Sequence, residues 1–269
     1  HPLDGCRAKI SMAVKHINTL DTEFRPFTKP NLYKIVRAEV NDKTGKQALR
    51  ISSPIKSIAD IPPHWSVVVG EICHDLRSSL DYLACQLTIL DTCNARICDE
   101  DVSFPIYLFG PRKRKAKGIK RWPPKGIPYG IRFLSHAHMA SIKKSQPYHG
   151  SNGQRFSSLW LLQELNNADK HRQIQILTTQ TRGVMLRVGQ PSELRVGLRG
   201  FSVIAGGARL KTGMPLVNGT KVGTVETNGS MDVNLGIRPQ IGFSQGCDAV
   251  KGPPVIRTLR SISNEVLNI

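Results

Sequence analysis

The stretch that most constrains the fold is residues 67–90. Val69, Ile72, Cys73, Leu76, Leu80, Leu83, Leu87 and Leu90 recur there at three- and four-residue steps. That period puts them on one side of a long amphipathic helix. A seam this continuous must be covered by other elements, so the chain has to supply partner helices or a sheet. Ser66 is the expected N-cap, after the rigid lead-in Ile61-Pro62-Pro63-His64-Trp65.

Partners are readable on both sides. Residues 3–20 carry Cys6, Ile10, Ala13, Val14, Ile17 and Leu20 on one face, and Pro26 and Pro30 end the helix. Short helices are expected at 135–144 and 159–172, and a last one within 253–269 with Val255, Leu259, Ile262 and Val266 inward. Residues 32–40 and 47–52 flank Asn41-Asp42-Lys43-Thr44-Gly45 and read as a β-hairpin. Between residues 183 and 248 apolar residues alternate (Val184, Leu186, Val188; Val233, Leu235, Ile237; Ile241, Phe243) and Asn-Gly turns separate the runs. The expected fold class is therefore α+β: an N-terminal helical bundle with a β-hairpin, then an antiparallel β-sheet or small sandwich and a C-terminal helix. The expected division is 1–181, mainly helical, and 182–269, β-rich.

Charge is the most informative bulk property. The net charge is +18, and residues 102–163 contain no Asp or Glu. Arg112, Lys113, Arg114, Lys115, Lys120 and Arg121 with Trp122 sit in a Pro/Gly-rich loop at about 110–130. Cations interleaved with an aromatic suit a nucleic-acid strand, RNA before DNA, with an anionic membrane surface the second partner. No apolar run reaches the roughly 18–20 residues of a bilayer span, and residues 1–15 carry no apolar signal core. A cytoplasmic location is expected. The six cysteines at irregular spacings read as reduced thiols.

On the central helix, His74, Arg77 and Asp81 fall within an arc of roughly 60° at 100° per residue. On 159–172, Asp169 and Arg172 project from the face made by Leu161, Leu162, Leu165 and Ala168. Charges aimed at a core require partners, so Arg77–Asp169 and Asp81–Arg172 are the expected pairs. Two readings stay open. In one, Arg77 holds a scissile phosphate, His74 or His171 moves the proton, and Asp81 and Asp169 orient them. In the other, the same residues only lock two helices. No cofactor or metal is expected: His136, His138 and His149 lack a carboxylate or thiol to complete a set, and no phosphate loop is present.

The segments Gly70-Glu71-Ile72-Cys73-His74-Asp75-Leu76-Arg77-Ser78-Ser79-Leu80-Asp81-Tyr82-Leu83 and Leu165-Asn166-Asn167-Ala168-Asp169-Lys170-His171-Arg172 resemble the two signatures of a widespread, uncharacterised bacterial protein family. Phe104-Pro105-Ile106 and Gln146-Pro147-Tyr148 fall where that family has similar short motifs. More remotely, the first segment is similar to the Arg-x4–6-His helix of HEPN proteins. That resemblance implies a helical protein, and metal-independent RNA cleavage of the toxin or defence type. The His it calls for would stand between positions 82 and 84, which hold Tyr82, Leu83 and Ala84. His74 or His171 would have to take its place.

Overall fold

The computed structural model describes residues 1–29, 34–41, 46–52, 62–96, 102–108, 130–149, 157–171, 176–188, 195–197, 201–204, 207–210, 221–226, 233–243 and 254–269; side chains are described for 1–29, 62–96, 102–108, 131–149, 157–170, 240–243 and 254–269. Among them are five α-helices: α1 (Asp4–Phe24), α2 (His64–Thr92), α3 (His136–Lys144), α4 (Ser158–His171) and α5 (Val255–Leu267). α2 is the axis. Val69, Ile72, Cys73 and Leu76 on its seam are completely buried. α1, α4 and α5 cover that seam with Ala13, Ile17 and Leu20, with Leu159, Leu162 and Leu165, and with Leu259 and Ile262. Burying apolar area at about 25 cal/mol per Å² makes this shared seam the main source of cohesion.

α2 starts earlier than the Ser66 cap would allow. Pro63 is its N-cap, already helical at φ −66° and ψ −25°, with no side-chain cap bond. Proline carries this conformation at no cost and has no N–H to leave unpaired. Ser66 is instead buried in the first turn. Trp65 anchors the start: its ring lies 4.6 Å from Phe24 and 5.1 Å from Phe27, and its Nε1–H donates to Glu23 at 2.6 Å. At the other end Cys93 turns left-handed, φ 53°, and its N–H closes on the Ile89 carbonyl.

The α+β expectation is corrected here. Of the residues described with side chains, 78% are helical, with only one short strand and no sheet. The fold is that of a helical protein. Alternation with a period of two marks an extended backbone; it does not show that a layer exists to bury one face of it. The seam of α2 is covered mainly by helices, with Phe104, Ile241 and Phe243 in the same core. Elsewhere only the backbone is described, through β1 (Lys34–Asn41), β2 (Lys46–Ser52), β3 (Ile176–Val188), β4 (Arg195–Gly197), β5 (Phe201–Ile204), β6 (Gly207–Leu210), β7 (Lys221–Glu226) and β8 (Val233–Phe243). These backbones run in the orders β1-β2-β7-β4 and β5-β6-β3-β8. From them only residues 240–243 add described side chains to the helical body, with Ile241 and Phe243 buried.

α5 belongs to that body, packing on α1, α2 and α4. No helix among the described residues is long and apolar enough to cross a membrane. The reduced-thiol expectation is also amended: Cys85 is disulfide-bonded, while Cys6, Cys73 and Cys93 are thiols.

Candidate functional site

The polar residues of α2 divide into two groups that face different neighbours. The first is built on Arg77. Its Nη2 donates to Asp81 Oδ1 at 2.9 Å and to the Phe104 carbonyl at 2.6 Å. Asp81 Oδ1 in turn accepts the Phe104 N–H at 2.8 Å. One residue of the 102–108 segment thus has both backbone groups held by an i, i+4 pair on α2. The Phe104 ring fills the core beneath, only 1% exposed. Arg77 is deeply placed, with 13% of its side chain exposed.

Burial pulls the Arg77 guanidinium below its usual value, and the Asp81 charge opposes this. Burial also pushes the Asp81 carboxyl up, against the Arg77 charge, the Phe104 N–H and Lys170. Both partners are driven toward their neutral forms although they touch. Desolvation therefore outweighs attraction, and the pair sets geometry more than it adds net stability. Arg77 Nη1 is buried and without a partner among the described residues.

The second group lines a cavity of about 650 Å³ between α1, α2 and α4. His74, Glu71 and Asp75 reach it from α2, His16 from α1 and Asp169 from α4. Lys9 holds Asp75 at 2.8 Å. Ser78 stands 3.4 Å from His74 Nε2. Asp169 lies over Gly70, where a Cβ would overlap its carboxylate. The missing side chain at Gly70 is what lets α4 bring a carboxylate onto the backbone of α2.

The expected pairing is therefore replaced. Arg77 bonds to Asp81 and Phe104, not to Asp169, and Asp169 is exposed rather than directed into the core. Arg172 lies outside the described residues, as does the side chain of His171. Arg112, Lys113, Arg114, Lys115, Lys120, Arg121 and Trp122 also lie outside them. Of the five expected catalytic residues, His74 and Asp169 share the cavity, while Arg77 and Asp81 share the lock.

His16 is the residue that sequence reasoning passed over. It sits between Ala13 and Leu20 at helical spacing, so its place beside the apolar face of α1 was visible. Its Nδ1 is buried without a described partner.

Comparison with known protein families, with curated proteins and with solved structures finds no match to this chain.

The site must then be read from its chemistry. Two imidazoles and three carboxylates surround the cavity, and of the carboxylates only Asp75 has a described ion pair. Such a lining repels a phosphodiester and attracts a cation. Among the described residues no group of three or more His, Cys, Asp or Glu could hold a metal ion. The guanidinium that would hold a scissile phosphate is engaged elsewhere.

Proposed function

We propose that this protein binds nucleic acid, RNA before DNA, as a non-catalytic partner, and that Arg77 and Asp81 serve its architecture. The observation that carries the non-catalytic half is the double engagement of Arg77 Nη2 by Asp81 and the Phe104 carbonyl. A guanidinium bound in this way is a structural clamp, and the acidic lining around His74 disfavours phosphate beside that imidazole. The binding half is supported by the net charge of +18 and by the acid-free window 102–163. Counterion release from phosphates drives such association without need of a pocket. Cytoplasmic residence, where RNA is abundant, goes with this reading.

The test is fluorescence anisotropy of an end-labelled single-stranded RNA across a potassium chloride series, with the RNA then run on a denaturing gel. Intact RNA is expected, with log K falling against log salt at a slope of roughly −4 if about six phosphates are neutralised. Absence of binding at low salt sinks the nucleic-acid reading. Cleavage that disappears in a folded Arg77→Ala protein restores the enzymatic one.

A further inference from the structure

A second cavity, of about 550 Å³, opens between α1, the end of β8 and the start of α5. Gln240 lines it and is 7% exposed. Both ends of its amide, Oε1 and Nε2, are buried with no hydrogen-bond partner among the described residues. A buried amide with neither its donor nor its acceptor in use is rare in a folded protein, and it points to a partner the protein does not itself supply. That partner must offer a donor beside an acceptor, since a primary amide presents one of each on a single planar edge.

The rest of the lining narrows the class. Phe24, Ile241 and Ile256 give apolar surface, which suits the body of a flat, weakly hydrated ring. Arg257 and Arg260 stand on the first two turns of α5 at the rim. Arg260 is held by Asp21 at 2.9 Å, whereas Arg257 has no ion pair among the described residues. α5 begins at Pro254 without a side-chain cap and without an acidic residue in its first turn. Its uncapped N-terminal turn, with the positive end of its dipole, supplies Pro254, Ile256 and Arg257 to the lining.

We propose that this cavity is a nucleotide site: Gln240 reads the edge of the base, and Arg257 with the N-terminus of α5 holds the phosphate. Adenine is the base whose edge matches best, because its 6-amino group donates to Oε1 while N7 accepts from Nε2. A bare anion would use Arg257 but leave the Gln240 amide as it is. Gln240 and Arg257, the residues it calls on, lie outside the basic stretch 112–122 in sequence. The same chemistry could come from a free nucleotide or from one residue of a strand.

Calorimetric titration of the whole chain with adenosine 5′-monophosphate, purine riboside 5′-monophosphate and ribose 5-phosphate tests this. Adenosine monophosphate should bind, the analogue without the 6-amino group should bind about tenfold more weakly, and ribose phosphate should not register. Gln240→Leu should lose about tenfold in affinity and melt no lower than the parent, because it removes an amide that has no partner among the described residues. Arg257→Gln should weaken adenosine monophosphate but leave adenosine unchanged. A short oligoadenylate run alongside names the source: tighter binding of it assigns a strand, and tighter binding of the monophosphate assigns a free nucleotide. Equal binding of ribose phosphate and adenosine monophosphate overturns the proposal, as does absence of binding at millimolar nucleotide. A Gln240→Leu protein that melts lower yet binds as well also overturns it, by making Gln240 a structural residue.

Discussion

The Arg77–Asp81–Phe104 lock makes the sharpest energetic prediction. Arg77→Met removes the donor to the Phe104 carbonyl, leaves that acceptor unpaired and leaves Asp81 without its cation. With about 1–2 kcal/mol for the stranded carbonyl and a similar amount for the carboxylate, the loss should be about 3 kcal/mol. Asp81→Asn keeps an oxygen for the Phe104 N–H but leaves a guanidinium that is only 13% exposed without a counter-charge. Because the Asp81 side chain is itself 32% exposed, solvent screens part of this, and about 2 kcal/mol is expected. The double variant buries no charge and keeps only the stranded carbonyl, so its cost should be about 2 kcal/mol rather than the total of the singles, a coupling near 3 kcal/mol. Urea denaturation followed by circular dichroism reads all four proteins, provided the m-value is constant. Single losses under about 0.5 kcal/mol with no coupling would mean a solvated surface pair, and the reasoning about the lock would be refuted.

Other outcomes follow from the same structure. Glu23 is held below its usual pKa, first by the His64 hydrogen bond and also by Trp65 Nε1; its contribution should be complete above the ordinary value of 4.5 and disappear as pH falls through the lowered one, so Tm should drop on acidification and Glu23→Gln should flatten that drop. Gly70→Ala should change stability by less than about 1 kcal/mol, because the gain in helix propensity offsets swinging the exposed Asp169 carboxylate aside; a loss above about 2 kcal/mol would show that carboxylate to be fixed. Alkylation of the denatured, non-reduced protein should label Cys6, Cys73 and Cys93 and spare Cys85; labelling of Cys85 would return it to the reduced thiols expected of a cytosolic chain.

The helical part of the fold was legible because α2 repeats its apolar residues at three- and four-residue steps from Val69 to Leu87, and the faces of α1, α4 and α5 answer that seam. The Arg77–Asp81 contact was open to reading as an i, i+4 pair, although the expected partners were Asp169 and Arg172. Its second half was not, because the partner is the backbone of Phe104, and a carbonyl has no sequence signature. The wheel aimed Asp169 at the core; it missed that Gly70 opens a notch on α2 where that carboxylate can sit in the cavity instead. The start of α2 was misplaced because Ser66 offers cap chemistry while Pro63 offers only a backbone angle. The sheet expectation failed for a physical reason of the same kind. Alternation in residues 183–248 carries no information on whether helices have already closed the core. Gln240 shows the limit most plainly, since one glutamine in an alternating run carries no mark of being buried and unpaired.

On the reading proposed above, Arg77 and Asp81 serve the architecture and the basic stretch of sequence does the binding. That reading is met most directly by measuring RNA affinity and RNA integrity for the Arg77→Met/Asp81→Asn double variant beside the parent, at a temperature where both are folded. The account predicts salt-dependent binding equal within about twofold and intact RNA with both proteins. A parent that cleaves RNA, with the folded double variant unable to, would contradict it.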